Sequence, residues 1–245
     1  MKKVIASVAC LLAFIACKEE KKETSEAAVE KVAIIENDWE VLFDGSSLDQ
    51  WKEFKTDGVS DAWKIEGDAL VYTPPAEGEE STNHDLVTRQ DYTNFVLSLD
   101  WKISEAGNSG VFWGVNEDEK FGTGYQTGPE IQILDNEKHP DAKAGTTHQA
   151  GALYDMVSPA TDVTNPVGEW NTMVITVDHN AHIGSVTLNG TVMVTFPVAN
   201  DQWDAMVAKS KFAGWDGFGK YTKGKIGLQD HGNIVAFRNI KIKQL

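Results

Sequence analysis

The sequence predicts an all-β protein, a jelly-roll β-sandwich built from two antiparallel sheets. About a dozen short strand patterns follow one another at 8–15-residue spacing, which favours a two-sheet sandwich. The pair at 182–196 is the clearest hairpin, because Asn189-Gly190 favours a two-residue turn. Eight Trp and 21 Gly suit twisted strands joined by tight turns, and only residues 202–210 suggest a helix.

Each predicted strand rests on alternating or continuous apolar residues bounded by turn formers. In 94–103, Phe95, Leu97 and Leu99 share one face with Trp101, so this strand should bury that face. We predict a tight turn at 107–110. In chain order the predicted strands and hairpins are 39–43, 63–72, 85–88, 94–103, 111–115, 130–134, 151–154, 172–177, 182–196, 224–230 and 234–242.

Residues 1–16 have the features of a secretory signal peptide. Two lysines precede an apolar run that is too short for a resident membrane helix. The run ends in Phe-Ile-Ala-Cys, which resembles a bacterial lipobox with Cys17 as the lipidated residue. Residues 17–36 are charged and poor in aromatics, as in a flexible tether. We therefore expect a lipid-anchored protein at the bacterial outer membrane, either periplasmic or surface-exposed.

Residues 37–245 then form one domain, long enough for an ample core. The net charge of −15 disfavours nucleic acid and anionic lipid head groups as partners, so membrane contact should be through the lipid anchor only. Both cysteines, Cys10 and Cys17, fall in the leader. The domain should therefore contain no disulfide, thiol nucleophile or thiolate metal site.

The strand at 130–134 carries the most suggestive polar pair. Ile131 and Ile133 alternate with Glu130 and Gln132, so the carboxylate and the amide lie on the same strand face. Such a face is either solvated or turned to a ligand, and the strand alone does not decide between these alternatives.

An ordered set of motifs is similar to the 3-keto-disaccharide hydrolase family over nearly all of 37–245. That resemblance implies a concanavalin A-like lectin/glucanase fold and a secreted or lipidated enzyme that cleaves 3-keto-glycosides. The motifs are WEVLFDG (39–45), GNSG (107–110), EIQILDN (130–136), GALY (151–154), GEWN (168–171), LNG (188–190), GLQDHG (227–232) and FRNI (237–240).

A 3-keto group acidifies the hydrogen on C2 of a sugar. A base can remove that proton, the C1 substituent can leave by β-elimination, and water can then add to complete a net hydrolysis. This needs a base, an acid for the leaving oxygen and a stabiliser of the enolate. Glu130, His231 and Asp135 are the candidates for proton transfer, with the first two preferred. Gln132 and Gln229 are candidate hydrogen-bond donors to the substrate.

Several alternatives stay open. Asp135 lies on the opposite strand face from Glu130 and, with Asn136, suits the start of a turn. His231 either acts in the site or only bonds a loop carbonyl. A divalent cation held by Glu130 and a histidine is a further possibility for the electrophile, although the spacing shows no compact metal motif.

Further substrate-binding candidates come from aromatic, amide, carboxylate and imidazole groups near glycine-rich turns. Aromatics in strands are more often core residues, loop histidines are often merely solvated, and 107–110 also suits a plain turn. The candidates are Asn108, Trp113, Tyr154, Glu169 and His148.

Carbohydrate is thus the expected partner. The leading hypothesis is an enzyme that acts on 3-keto-glycosides or related glycans, either by elimination and hydration or by direct hydrolysis, and two other functions compete with it. A non-catalytic glycan-binding lipoprotein would place Glu130 and His231 on opposite faces, with aromatics alone in the groove. A conventional glycosidase would need a second carboxylate about 5–9 Å from Glu130.

Overall fold

The computed structural model describes residues 38–76 and 82–245, in which the chain forms thirteen strands and one short α-helix. Three single 3-10 turns lie in the loops, at Gly124–Gln126, Pro140–Ala144 and Thr146–His148. In chain order the elements are β1 Glu40–Phe43, β2 Trp51–Glu53, β3 Trp63–Glu66, β4 Ala69–Tyr72, β5 Leu86–Thr88, β6 Phe95–Ile103, β7 Asn108–Val115, β8 Glu130–Leu134, β9 Asn171–Asp178, β10 Ile183–Leu188, β11 Thr191–Pro197, α1 Asp201–Val207, β12 Lys225–Leu228 and β13 Val235–Gln244.

The strands build two antiparallel sheets, which confirms the predicted all-β sandwich. The larger sheet has the order β11-β10-β9-β6-β13-β4-β3, with β1 also paired to β13. The smaller sheet has the order β2-β5-β12-β7-β8. Most neighbours are distant in sequence, so this topology places β12, from near the end of the chain, between β5 and β7.

The core lies between the sheets, where alternate side chains of facing strands meet. β6 alternates buried and half-buried residues along its whole length, and Trp101 at its end is 1% exposed. Trp113 of β7 stacks on Phe196 of β11, with ring centroids 5.6 Å apart, and so joins the two sheets. Trp113 is therefore part of the core, not a platform on the surface.

The structure corrects three local predictions. The turn expected at 107–110 ends earlier, because Asn108 already pairs with Leu134 in the β7–β8 ladder. The segment 151–154 is a loop with isolated bridges rather than a strand, although Tyr154 N–H still donates to Glu130 O at 3.0 Å. β12 ends at Leu228, so Gln229 follows the strand rather than standing within it.

The predicted signal peptide, the tether and Cys17 lie outside the described residues. Within the described part of the chain, no helix has both the length and the apolarity to cross a membrane.

Candidate active site

A cleft of about 280 Å³ opens on the outer face of the smaller sheet. Successive residues of β7 point to opposite faces of the sheet. Trp113 points into the core between the sheets, so Gly110, three positions earlier, lies on the outer face. The volume is near the lower end for small-molecule sites. Its lining residues are Asn108, Tyr125, Gly128, Glu130, Gln132, Tyr154, Lys211, Phe212, Trp215, Phe218, Gln229 and His231.

Glu130 forms the floor of the cleft. Its carboxylate crosses above β7 at Gly110, where a Cβ atom would lie 2.7 Å from both Cγ and Cδ of Glu130. Glycine at position 110 therefore makes room for the carboxyl group. The residue is only 8% exposed, so the polar face of β8 is not a solvated surface. Of the two alternatives that the sequence left open, the structure supports a face turned to a cleft.

Burial is the main reason why the pKa of Glu130 is raised to about 8. The Lys211 ammonium opposes this shift, while the nearby carboxyl groups of Asp85 and Asp141 reinforce it. A carboxyl group with this pKa is mostly protonated at neutral pH. Perturbed acids of this kind, placed in a cleft, are typical of catalytic sites.

Two aspartates, the buried Asp85 and the half-buried Asp230, are linked next to Gln229. Asp85 Oδ1 accepts the backbone N–H of Asp230 at 3.1 Å, and Asp230 Oδ2 accepts the backbone N–H of His84 at 2.6 Å. Burial raises the pKa of both carboxyl groups, and their proximity adds to the shift at Asp85. The reciprocal bonds tie the segment that carries Gln229 and His231 to the start of β5.

Three amide side chains complete the polar floor. Gln132 Oε1 accepts the backbone N–H of Ile133 at 3.0 Å, which leaves its NH₂ group as a donor. Among the described residues, Asn108 Oδ1 and Gln229 Oε1 are buried without a hydrogen-bond partner. Unpaired buried amides beside a cleft suit a ligand rich in hydroxyl groups, which both donate and accept. The structure thus brings these three predicted residues together with Glu130.

His231 lies at the rim of the same cleft. Its ring meets that of His139 edge-on, with centroids 6.0 Å apart. Partial burial of the ring and the nearby His139 hold the pKa of His231 below its usual value. This shift favours the neutral imidazole, which is able to accept a proton.

A hydrogen-bonded group supports Tyr154, which lines the cleft. Tyr154 O–H donates to Asp141 Oδ2 at 3.0 Å, and His148 Nδ1 lies 2.9 Å from Asp141 Oδ1. Although burial acts to raise it, the bonds from His148 and Tyr154 hold the pKa of Asp141 below its usual value. Lys211 Nζ lies 4.0 Å from the centre of the Tyr154 ring. His148 therefore positions Tyr154, and does not itself line the cleft.

Sequence reasoning missed the segment that follows α1. Its backbone is fixed where Lys211 N–H donates to Asp155 Oδ2 at 2.7 Å. The segment supplies a cation and three aromatic rings to the cleft, from Lys211, Phe212, Trp215 and Phe218. The run KFAGWDGFG (211–219) could have signalled it, since it combines aromatics with glycines outside any strand pattern.

Two predicted residues lie elsewhere. Asp135 accepts the backbone N–H groups of Ala106 at 2.8 Å and of Glu137 at 3.1 Å, so its carboxylate fixes a turn. Together with Glu169 it lines a second, larger cleft of about 420 Å³. Asp162, another carboxylate of that cleft, is also held locally, by the backbone N–H of Thr164. The smaller cleft is the better candidate, because it combines Glu130, whose pKa is raised by burial, with two buried amides that lack a partner.

Within residues 38–76 and 82–245, no group of three or more His, Cys, Asp or Glu side chains is arranged to hold a metal ion.

Comparison with known proteins points to a single family. The family model of the 3-keto-alpha-glucoside-1,2-lyase-like domain matches residues 38–243. A Bacteroides thetaiotaomicron protein named 3-keto-disaccharide hydrolase is 31% identical over 293 aligned positions, which cover 100% of both chains.

Solved structures agree with this match. One candidate glycosyl hydrolase from Parabacteroides distasonis ATCC 8503 superposes with a TM-score of 0.77 at 31% identity, covering 84% of this chain and 94% of the other. A second from the same organism superposes with a TM-score of 0.63 at 26% identity, covering 85% of this chain and 100% of the other. These relatives share the sandwich fold and support a carbohydrate-active, hydrolase-type protein.

Proposed function

The chain belongs to the 3-keto-alpha-glucoside-1,2-lyase-like family, and we propose that its cleft cleaves 3-keto-glycosides by elimination followed by hydration. One observation carries the proposal: Glu130 and His231, whose surroundings shift their pKa values in opposite directions, line the same cleft. Such opposed shifts provide an acid and a base at the same pH.

At neutral pH Glu130 holds a proton and His231 does not. His231 therefore acts as the base at C2, and Glu130 acts as the acid that protonates the leaving oxygen. Lys211 and the NH₂ group of Gln132 are placed in the cleft to stabilise the enolate oxygen that forms at C3.

The proton and bond changes balance over two steps. His231 takes the C2 hydrogen, the electron pair moves to the C3 oxygen, and its return expels the C1 oxygen, which takes the proton of Glu130. A C1=C2 enone and a free alcohol result. Water then adds at C1, giving its proton to the Glu130 carboxylate, while His231 returns a proton to C2. The net reaction is hydrolysis of the glycoside.

The test is to incubate the purified protein with a chromogenic 3-keto-glucoside and with its unoxidised parent, with and without chelator. We expect release from the keto sugar only, because only that sugar has an acidic C2 hydrogen. Loss of release in His231→Ala would support the role of the imidazole as base. Equal release from both sugars would contradict the proposal, since elimination needs the ketone.

The residues of the cleft support a conventional glycosidase or a lectin less well than they support an elimination enzyme. Among the described residues that line the cleft, Glu130 is the one carboxylic acid, whereas a conventional glycosidase uses a pair. A lectin would not need an acid and a base with opposed pKa shifts in its groove. Failure to cleave either sugar, with sugar binding intact in calorimetry, would favour the lectin.

Lipid attachment at Cys17 and an outer-membrane location stay part of the proposal. The lipobox-like sequence at 14–17 is the support for both.

A further inference from the structure

The cleft has two chemically different sides. Its floor is polar, formed by Glu130 and the amide residues, whereas Tyr125 and Trp215 contribute rings to the lining. Tyr125 is 41% exposed and its ring centroid lies 6.2 Å from that of Trp215. Large exposed aromatics beside a polar site usually mark a binding surface.

The aromatic side is held firmly in place. Phe212 and Phe218, which are 4% and 2% exposed, stack with centroids 3.7 Å apart. Trp215 meets both rings edge-on, at 5.2 Å from Phe212 and 6.2 Å from Phe218. Trp215 therefore stands on a packed aromatic base and loses little freedom when a ligand binds, which favours affinity.

We propose that Tyr125 and Trp215 form a leaving-group subsite that binds the flat, CH-rich face of a second ring. This inference rests on the proposed function, because it assigns the floor to the keto sugar and the aromatic side to the group that departs. The preferred substrates would then be glycosides with a ring on the C1 oxygen, either a second pyranose or an aryl group. A small alkyl group would leave these aromatics without a partner.

The subsite should make the protein select substrates by the group on the C1 oxygen. Methyl 3-keto-glucoside and a 3-keto-disaccharide both release an alkyl alcohol, so their leaving oxygens are chemically similar. We expect kcat/KM for the disaccharide to exceed that for the methyl glycoside by about tenfold, which corresponds to about 1.4 kcal/mol of stacking. Trp215→Ala should remove this preference, and Trp215→Tyr should restore part of it. Trp39→Ala is the matched control, because that tryptophan lies away from the cleft.

An aryl 3-keto-glucoside distinguishes the two kinds of ring. Trp215→Ala should lower its kcat/KM together with that of the disaccharide if both rings stack on the same surface. An effect on one substrate only assigns the subsite to that ring. Equal losses on all three substrates, the methyl glycoside included, would overturn the proposal, as would no loss on any of them.

Binding separates this inference from the proposed function. Calorimetry with a Glu130→Gln variant measures affinity for the disaccharide and the methyl glycoside without turnover. A preference for the disaccharide that disappears in the Glu130→Gln, Trp215→Ala double variant supports the subsite, even if the native protein cleaves neither sugar. No preference overturns the subsite, even if cleavage is observed.

Discussion

Replacing Glu130 with glutamine is expected to lower kcat on a 3-keto-glycoside by about 10²–10⁴-fold, the usual contribution of a general acid or base. The amide keeps the size of the side chain and its ability to donate a hydrogen bond, but it has no proton to give to the leaving oxygen. In the native protein, activity should fall as the pH rises through about 8, because Glu130 then loses its proton. That alkaline decline should disappear from the residual activity of the variant.

The free energy of unfolding of the Glu130→Gln variant shows whether it loses activity because it cannot transfer a proton or because it does not fold. The pKa of Glu130 is raised in the folded state, so the fold binds this proton more tightly than the unfolded chain does. The protonated Glu130 contributes fully to the free energy of unfolding below about pH 4.3, the pKa of a glutamate in the unfolded chain. That contribution is lost as the pH rises through about 8, the pKa in the folded protein. Glu130→Gln should therefore be at least as stable as the native protein at pH 8, as urea titration would measure.

Glu66→Gln is the matched control, because Glu66 is exposed at the end of β3 on the other sheet. It should retain native kcat. A Glu130→Gln protein that stays folded and keeps more than a tenth of native kcat would show that Glu130 is not the acid.

Replacing Gly110 with alanine should damage the site without changing the identity of any catalytic residue. The new Cβ atom would lie 2.7 Å from Cγ and Cδ of Glu130, well inside contact distance. Because Glu130 fills the space above Gly110, its carboxyl group must move by roughly 1 Å, a displacement that can cost about 10²-fold in rate. The overpacking should also lower the free energy of unfolding by about 1–3 kcal/mol. Both quantities are measured on the same preparation.

Gly58→Ala is the control for this change, because a Cβ atom there has no neighbour within 4 Å. It should keep native rate and stability. If Gly110→Ala retains kcat within about threefold while folded, the carboxyl position above β7 is not critical for the reaction.

Much of the fold follows from the sequence, because strand alternation and turn residues are local signals. The β10–β11 hairpin is an example: Asn189 and Gly190 both adopt positive φ, as the predicted turn requires. The tight turn predicted at 107–110 ends before Asn108, which already belongs to β7. Glycine occurs both in turns and where two chain segments pack closely, so the residue type alone does not distinguish these cases. At Gly110 the glycine serves a close approach to Glu130.

The site was predictable only in part. Glu130 and Gln132 share a strand face, so period-2 alternation was enough to pair them. Trp113 is not placed by the sequence, since composition does not distinguish a core ring from a platform. The turn at Asp135 is one of the two alternatives that the sequence leaves open. Lys211 reaches the cleft because its loop is held by a hydrogen bond to Asp155. These two residues are far apart in sequence, so no local sequence pattern predicts the contact.

The most direct test of the mechanism is to cleave a 3-keto-glycoside in D₂O and examine C2 of the released keto sugar by NMR and mass spectrometry. Elimination removes the C2 hydrogen to His231, and the imidazolium exchanges that proton with D₂O while the alcohol leaves and water enters. Hydration then returns a deuteron, so each product molecule should carry deuterium at C2. The free keto sugar, incubated alone for the same time, corrects for spontaneous exchange. Cleavage that leaves protium at C2 would mean direct hydrolysis, and would contradict the roles assigned to His231 and Glu130.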